Sequence, residues 1–333
     1  ASVVACYDTF PAAADRLAQS LGCRAYHDLS ALLDDPHVDV VTICTPSGAH
    51  LEPALAAAAA GKHVIVEKPL EVTLARCDRI IAACTRAGVV LSTIFPSRFH
   101  ESAQLLKRAI DQKRFGRLTI GDAYVKWYRT QQYYDSGAWR GTWRLDGGGA
   151  LMNQAIHSVD LLSWLMGPVQ DLSARTATLA HERIEVEDVA LATLRFANGA
   201  LGVIEATTAA YPGALKRIEI HGSAGSAGLQ EEDITTWSFA RPTRADATLL
   251  QRMAGKTKTG GGAADPAAIG HHGHTAQFQD VLQAIKTGRQ PLINGPEGRR
   301  SVEIILAIYK AAESGRTVTL PLAADPKLQA RRR

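Results

Sequence analysis

The chain has 333 residues, of which 46% are hydrophobic and 21% charged, a composition typical of a folded protein with two domains. The net charge is only +4 and no basic stripe alternates with aromatic residues, which argues against a nucleic-acid-binding protein. No apolar run reaches the roughly 18 residues of a membrane span, and the pattern of a signal peptide is absent. Five cysteines without metal-ligand spacing indicate reduced core thiols, no metal site and a cytoplasmic location.

The first part of the chain alternates strand-like and helix-like segments. Strands are predicted at residues 2–8, 38–44, 63–67 and 89–94, and helices at 11–20, 29–33, 51–60 and 73–87. The run at 38–44 is almost entirely β-branched, as in parallel strands that are buried on both faces. The alternation predicts an α/β domain over residues 1–117, a Rossmann-like doubly wound parallel sheet.

The beginning of this predicted domain is unusual. A dinucleotide-binding fold starts with a strand, a glycine-rich turn and a helix, and the turn binds the pyrophosphate. None of these precedes the strand that ends at Asp8, and the glycines at 147–149 are too far downstream to replace them. We therefore expect that the sequence is truncated and that the first strand of the fold is missing.

A different pattern follows, and it predicts an α+β domain with an open antiparallel sheet over residues 118–323. The expected functions of this domain are substrate binding and oligomerisation, and residues 324–333 are expected to form a tail. A segment rich in aromatic residues begins at 118–125. The predicted elements after it are helices at 150–166, 275–287 and 296–314, strands at 172–180, 187–196, 200–208, 216–221 and 318–320, a turn at 222–228 and a loop at 254–273.

Three polar segments follow predicted parallel strands. Asp8 ends the first strand, a Thr45-Pro46 pair with His50 follows the second, and Glu67-Lys68-Pro69 follows the third. Because ligands bind at the carboxyl ends of such strands, these segments are candidates for one binding edge. The alternatives are that Asp8 caps the helix behind it and that Lys68 is a solvated strand-end lysine.

A second candidate cluster lies on the helix predicted at 150–166. Asn153, His157 and Asp160 are spaced i, i+4 and i+7, which predicts an amide, an imidazole and a carboxylate on one helical face. A carboxylate one turn away can hold an imidazole in one tautomer, so that it acts as a base. The alternative is a buried histidine that bonds Asp160 for structural reasons.

Taken together, these motifs resemble one known family. Thr45-Pro46 with His50, the run from Gly61 to Pro69, and the glycines followed by Asn153 and His157 resemble the glucose-fructose oxidoreductase, inositol dehydrogenase and rhizopine catabolism (Gfo/Idh/MocA) family, over about residues 2–322. The resemblance implies an NAD-dependent oxidoreductase with a Rossmann domain and a second domain whose open sheet commonly forms a homodimer or homotetramer interface.

The resemblance also implies roles for single residues. Lys68 looks like the catalytic lysine and His157 like the catalytic histidine. Many members have aspartate at the position of Asn153, which here can only orient the substrate or Lys68. The cofactor would be contacted by Asp8, Thr45, Pro46, His50, Glu67 and Lys68. NAD is expected rather than NADP, because the carboxylate of Asp8 would bind ribose hydroxyls and repel a 2′-phosphate.

Aromatic segments at 124–129, 133–134 and 139–143, with the segment at 151–154, resemble the branch that acts on nucleotide-linked amino-sugar uronates and oxidises the 3-hydroxyl of UDP-N-acetylglucosaminuronate. The alternatives are a dehydrogenase of a free polyol or anhydrosugar, such as inositol or levoglucosan, and a non-catalytic protein that binds a sugar or nucleotide. The aromatic residues could also simply pack the domain junction, and Arg98 could be a surface arginine. The expected substrate-binding residues are Asn153, Arg98, Trp139, Arg140 and Tyr134.

Overall fold

The computed structural model describes residues 1–257, 262–263 and 270–328. Parts of the predicted loop at 254–273 and of the predicted tail therefore lie outside the described residues. None of the described helices is long and apolar enough to cross a membrane. Within the same ranges no group of histidine, cysteine, aspartate and glutamate side chains could hold a metal ion. All five cysteines are free, and Cys77 and Cys84 are buried.

The first part of the chain builds parallel strands with helices between them, as predicted. Strand β1 pairs with β2, and a separate ladder runs β3-β4-β5, all in parallel. The described residues contain no ladder that joins these two sheets. The elements are β1 (Ala5–Tyr7), α1 (Pro11–Leu21), β2 (Arg24–Tyr26), α2 (Leu29–Leu33), β3 (Val40–Ile43), α3 (Leu51–Ala59), β4 (His63–Val66), α4 (Leu74–Ala87), β5 (Leu91–Thr93) and α5 (Glu101–Asp111).

The second part of the chain is built on one eight-stranded sheet with the order β12-β11-β10-β6-β9-β8-β7-β13. A π-helical turn at Ala150–Ala155 leads directly into α7. The elements are β6 (Leu118–Lys126), α6 (Gln131–Asp135), α7 (Ile156–Met166), β7 (Val169–Ala177), β8 (Val189–Phe196), β9 (Leu201–Thr207), β10 (Arg217–Gly222), β11 (Gly225–Gln230), β12 (Asp233–Phe239), α8 (Arg244–Met253), α9 (His272–Thr287), α10 (Gly295–Ser314) and β13 (Val318–Thr319).

The local signals explain why the elements begin and end where they do. Strand β4 is buried along Val64–Val66, which fixes its position between two neighbours and leaves its polar continuation at the sheet edge. Helix α4 begins at Thr73, whose side chain accepts a hydrogen bond from the amide of Arg76, and it ends at Gly88, which has a left-handed backbone conformation. These two signals set the ends of the helix, whose first turn follows the Glu67-Lys68-Pro69 turn after residues 70–73.

Four features differ from the sequence predictions. The second sheet is mixed rather than purely antiparallel, because β6 and β9 pair in parallel. The prediction of a turn over 222–228 is wrong for residues 225–228, because the strand β11 begins at Gly225 and pairs with β12. The single helix predicted at 150–166 is a π-turn followed by an α-helix. Strands β2, β6 and β12 and helices α5, α6 and α8 carry no prediction.

Candidate active site

The predicted cofactor residues lie on the loops at the carboxyl ends of the parallel strands. Asp8 follows β1, Thr45 and Pro46 follow β3, and Glu67 follows β4. Thr45 is exposed and the others are partly exposed, so their polar groups are accessible from outside the sheet. This is the edge at which ligands bind in doubly wound folds.

Asp8 has a local hydrogen bond in this structure. Its carboxylate accepts from the amide of Phe10 at 2.8 Å, just before α1. This is a local turn contact of the kind expected if Asp8 served only the helix behind it. The other carboxylate oxygen forms no hydrogen bond within the described part of the chain. The contact of Asp8 with a ribose therefore remains a prediction.

The side chain of His50 is part of the scaffold beneath this edge. It is only 1% exposed, and its two ring nitrogens lie 2.9 Å from the carbonyl oxygens of Pro69 and Thr45. Burial lowers the pKa of His50. The imidazole therefore links the loop after β3 to the Glu67-Lys68-Pro69 turn, and the prediction that it contacts the cofactor directly is wrong because the ring is enclosed.

The accessible donors and acceptors at this edge fit parts of a dinucleotide. The carboxylates of Asp8 and Glu67 offer acceptors suited to ribose hydroxyls and to a carboxamide, and Thr45 is exposed, with its hydroxyl donating to the carbonyl of Ala49 at 3.0 Å. Asp8 would hold the adenosine ribose, and Glu67 and Lys68 would flank the nicotinamide end. These assignments follow from strand order and from the chemistry of the groups.

Lys68 is held at the junction between the two halves of the chain. Its Nζ donates to the main-chain carbonyl of Asn153 at 2.7 Å and to Oδ1 of the same residue at 3.4 Å. Burial lowers the pKa of Lys68, and the nearby carboxylates of Glu67 and Asp146 oppose that shift. The ammonium group is thus fixed in position by a residue of the second domain.

Asn153 in turn contacts a buried carboxylate. Its Nδ2 donates to Oδ1 of Asp146 at 2.5 Å, while its Oδ1 accepts from Gln154 at 3.1 Å as well as from Lys68. Asp146 is 1% exposed, and burial raises its pKa to about 6. Sequence reasoning missed Asp146, and only its position shortly before the glycines at 147–149 could have pointed to it.

His157 lies in the first turn of α7. The edge of its ring meets Phe95 with 5.8 Å between the ring centres, and its Nδ1 is buried without a hydrogen-bond partner among the described residues. Burial, with the charge of Lys68 second, holds the pKa of His157 well below its usual value. The ring is therefore neutral near neutral pH.

The predicted contact between His157 and Asp160 is wrong. Both carboxylate oxygens of Asp160 are taken by Arg98, at 2.8 Å from Nε and 2.6 Å from Nη2. A bidentate guanidinium binds a buried carboxylate more strongly than a neutral imidazole does. The prediction that Arg98 faces the cleft is wrong for the same reason: the side chain is 1% exposed, and its Nη1 also binds Glu297 at 2.7 Å.

The predicted sugar-binding aromatic residues separate into two groups. Tyr134 is buried, and its hydroxyl lies 2.8 Å from the hydroxyl of Thr208, so its predicted contact with substrate is wrong. Trp139 and Arg140 are partly exposed, and the guanidinium of Arg140 lies 4.5 Å from the centre of the Trp139 ring and 4.3 Å from that of Tyr133. Arg140 also donates to the Tyr133 hydroxyl at 2.7 Å.

A short chain of contacts connects this aromatic cluster to Lys68. Gln154 donates to the Tyr133 hydroxyl at 2.9 Å and to Asn153, and it accepts from the buried Arg129 at 2.8 Å. Tyr133, Gln154 and Arg129 were not predicted as site residues individually, although all three lie in or beside the segments that were singled out. Lys68 and Arg140 therefore belong to one continuous polar network.

Comparison with known proteins agrees with this architecture. A family model described as an oxidoreductase family with an NAD-binding Rossmann fold matches residues 1–95, and a GFO/IDH/MocA C-terminal domain matches residues 103–228. The WlbA dehydrogenase from Bordetella pertussis, solved with NADH and UDP-GlcNAcA, is 36% identical, with a TM-score of 0.83 over 96% of this chain and 91% of its own. The chain belongs to the Gfo/Idh/MocA family.

Other relatives extend the range of substrates. Myo-inositol 2-dehydrogenase from Thermotoga maritima is 29% identical over 89% of this chain and 84% of its own length. A levoglucosan dehydrogenase, solved with NADH and levoglucosan, is 26% identical, with a TM-score of 0.81 over 96% of this chain and 90% of its own. As a member of this family, the protein is an NAD-binding oxidoreductase that acts on CH–OH groups of sugars or polyols.

Proposed function

We propose that the protein uses NAD to oxidise a secondary hydroxyl of a nucleotide-linked sugar uronate, with the 3-hydroxyl of UDP-N-acetylglucosaminuronate as the specific substrate group. The observation that carries this proposal is Arg140. Its guanidinium packs on two aromatic rings and is connected to Lys68 through Tyr133, Gln154 and Asn153, and within the described ranges it forms no salt bridge. A guanidinium that is held in place without a salt-bridge partner is suited to a carboxylate, which it binds through two parallel hydrogen bonds.

The chemistry proposed for the hydroxyl group needs a base and a cation. His157 is neutral because its pKa is depressed, so it can accept the hydroxyl proton. Lys68 presents an ammonium group that stabilises negative charge as it develops on the substrate oxygen. When bound, NAD supplies the hydride acceptor. The protein residues hold the carbinol between a proton acceptor and a cation.

The relatives support this choice of substrate over a free polyol. The Bordetella pertussis protein, whose structure contains UDP-GlcNAcA, shares more identity with this chain than the inositol and levoglucosan enzymes described above. A free inositol or anhydrosugar carries no carboxylate, so the position of Arg140 would have no partner in such a substrate. The aromatic rings of Trp139 and Tyr133, which the Arg140 guanidinium contacts, are of the kind that packs against a sugar face.

Initial rates of NAD reduction with four substrates test the proposal. We expect UDP-GlcNAcA to give a kcat/KM at least about tenfold above that of UDP-GlcNAc, because a charged hydrogen bond of roughly 1.5–3 kcal/mol depends on the carboxylate. Myo-inositol and levoglucosan are the two other substrates. Equal or faster oxidation of either of these would contradict the proposed substrate class.

The variant Arg140→Gln tests the residue itself. We expect the ratio of kcat/KM for UDP-GlcNAcA to that for UDP-GlcNAc to fall on the order of tenfold or more, since the neutral amide cannot pair with a carboxylate. Arg183→Gln is the control, because Arg183 is an exposed arginine of the same domain that pairs with Asp135. An unchanged ratio in the Arg140 variant would assign carboxylate recognition to another residue.

A further inference from the structure

We propose that Asp146 is a positioning residue for Lys68, acting through the side-chain amide of Asn153. The inference rests on the proposed function of Lys68 in the dehydrogenase reaction. Asp146 lies in the turn just before the glycines at 147–149, where its amide donates to the carbonyl of Thr142 at 3.1 Å. Among the described residues, its hydrogen bonds connect it to Lys68 through Asn153, and its charge also acts on that lysine, so it would set the position and charge of Lys68 without touching the substrate.

The first step of the argument is that Asp146 fixes which way the amide of Asn153 points. An aspartate carboxylate in this position accepts hydrogen bonds and does not donate them. The group 2.5 Å from it must therefore be the Nδ2 amide of Asn153. The Oδ1 atom of Asn153 is then turned toward the ammonium of Lys68 at 3.4 Å. If the amide rotated by half a turn, two donors would face each other.

The second step is that the other carboxylate oxygen is also occupied. Oδ2 of Asp146 accepts from the main-chain amide of Gly141 at 2.8 Å. The carboxylate thus binds one donor from the loop that carries Arg140 and one from the π-turn that carries Asn153. This double contact fixes the side chain, and with it the Asn153 amide, in one orientation.

The third step concerns charge. The titratable groups that interact electrostatically with Asp146 are Lys68 after β4, Arg140, and the phenol groups of Tyr133, Tyr134 and Tyr309. The two cations favour its ionised form, while burial opposes it. In return, the negative charge of Asp146 raises the pKa of Lys68, against the effect of burial on that lysine. Removing the charge should therefore lower the pKa of Lys68 further.

Because of these contacts, the single substitution Asp146→Asn and a double substitution at positions 146 and 153 should affect Lys68 differently. In Asp146→Asn, the introduced amide must accept from Gly141 and then presents its donor to the Nδ2 of Asn153, so that Asn153 rotates its NH₂ group toward Lys68. In the exchange variant Asp146→Asn/Asn153→Asp, the amide at position 146 accepts from Gly141 and donates to the carboxylate at position 153, which accepts from Lys68. Every hydrogen bond and the net charge are restored.

The expected results are as follows. Asp146→Asn lowers kcat at least about tenfold, because the ammonium of Lys68 then faces the NH₂ group of Asn153, and both are donors. The dissociation constant for NADH, measured by fluorescence, stays within about twofold of the parent value. The exchange variant recovers most of the lost kcat. A kcat of Asp146→Asn within about twofold of the parent, or an exchange variant no more active than Asp146→Asn, would overturn the proposal.

A second measurement does not depend on turnover. The rate of acetylation of Lys68 by acetic anhydride, followed by mass spectrometry against pH, gives the pKa of this lysine in the protein without substrate. We expect the midpoint to move to lower pH in Asp146→Asn and to return in the exchange variant, and an unmoved midpoint would overturn the proposal. If UDP-GlcNAcA is not oxidised but the midpoint moves, the proposed substrate fails and the role of Asp146 stands.

The variant Asp122→Asn is the control for the loss of a buried negative charge at a position unrelated to Lys68. Asp122 is also a buried aspartate of the second domain, and it accepts from the amide of Val203 at 3.0 Å, away from Lys68. We expect this variant to leave the acetylation midpoint of Lys68 unchanged. If Asp146→Asn fails to fold, the exchange variant alone decides, because it keeps every hydrogen bond and must then be folded and active.

Discussion

At the scale of single residues, Lys68 combines a depressed pKa with a fixed position. Its ammonium is held by the main-chain carbonyl of Asn153, so its location depends on the second domain and not only on the strand that carries it. The prediction from sequence that this lysine works together with Asn153 agrees with these contacts. The carboxylate behind Asn153 lies outside what a helical pattern can indicate, since Asp146 precedes the helix.

The variant Lys68→Ala tests the assigned role. We expect the rate of NADH formation in a single turnover to fall by about 10²- to 10³-fold, as on removal of a group that stabilises an oxyanion. The affinity for NADH is expected to change little. Lys62→Ala is the control: Lys62 precedes β4 at its opposite end and donates to the carbonyl of Asp35. Unchanged turnover in Lys68→Ala would remove Lys68 from the mechanism.

The predicted pair of His157 and Asp160 shows what the pattern of a single helix cannot indicate. Spacing on α7 suggested Asp160, and the two residues are indeed one turn apart. The carboxylate is instead bound by Arg98, which comes from a turn 62 residues earlier in the chain, shortly after β5. A periodic pattern indicates which residues share a face, but it contains no information about a competing cation that the fold brings from elsewhere.

At the scale of elements, strong local signals determined what could be predicted. Long apolar runs and helices with clear ends, such as β4 and α4, were found close to their true bounds. Strand β2 has only three residues, Arg24–Tyr26, with one exposed arginine and no apolar run, so nothing in its sequence indicates a strand. The parallel pairing of β6 with β9 is set by chain topology, which spacing does not report.

The buried ion pair between Arg98 and Asp160 joins two elements, and it gives a stability prediction. Arg98→Ala leaves an uncompensated buried carboxylate, so we expect the free energy of unfolding in guanidinium to fall by about 3–5 kcal/mol. In the double variant Arg98→Met/Asp160→Leu, the free energy of unfolding is expected to fall clearly less, because no buried charge is left without a partner. Arg183→Ala breaks an exposed pair with Asp135 and should change stability little. Equal losses in the single and double variants would contradict this account.

At the scale of the whole molecule, the outer face of the eight-stranded sheet is partly apolar. Ile120, Leu191 and Leu201 are 45%, 47% and 57% exposed, and Ile120 and Leu201 are direct neighbours in the pairing of β6 with β9. Exposed apolar residues grouped on one face are typical of an interface. Self-association as a homodimer or homotetramer through this face, expected from the family resemblance, remains a prediction.

Sedimentation of the protein tests that prediction. We expect a mass of two or four chains for the parent and a shift toward one chain for Leu191→Glu, because a buried, unpaired carboxylate opposes association. Leu179→Glu is the control, since Leu179 is 74% exposed but lies beyond the end of β7. A single-chain mass for the parent protein at micromolar concentration would contradict the prediction.

The π-turn at Ala150–Ala155 affects what a one-residue deletion in this segment would do. A π-helical turn holds one residue more than an α-helical turn of the same kind. Loss of one codon within this segment could therefore leave an unbroken helix and an intact core. The carbonyl of Asn153, however, would be rotated away from Lys68. Such a deletion would separate the two roles of the segment, since the helix would be kept while Lys68 would lose its anchor.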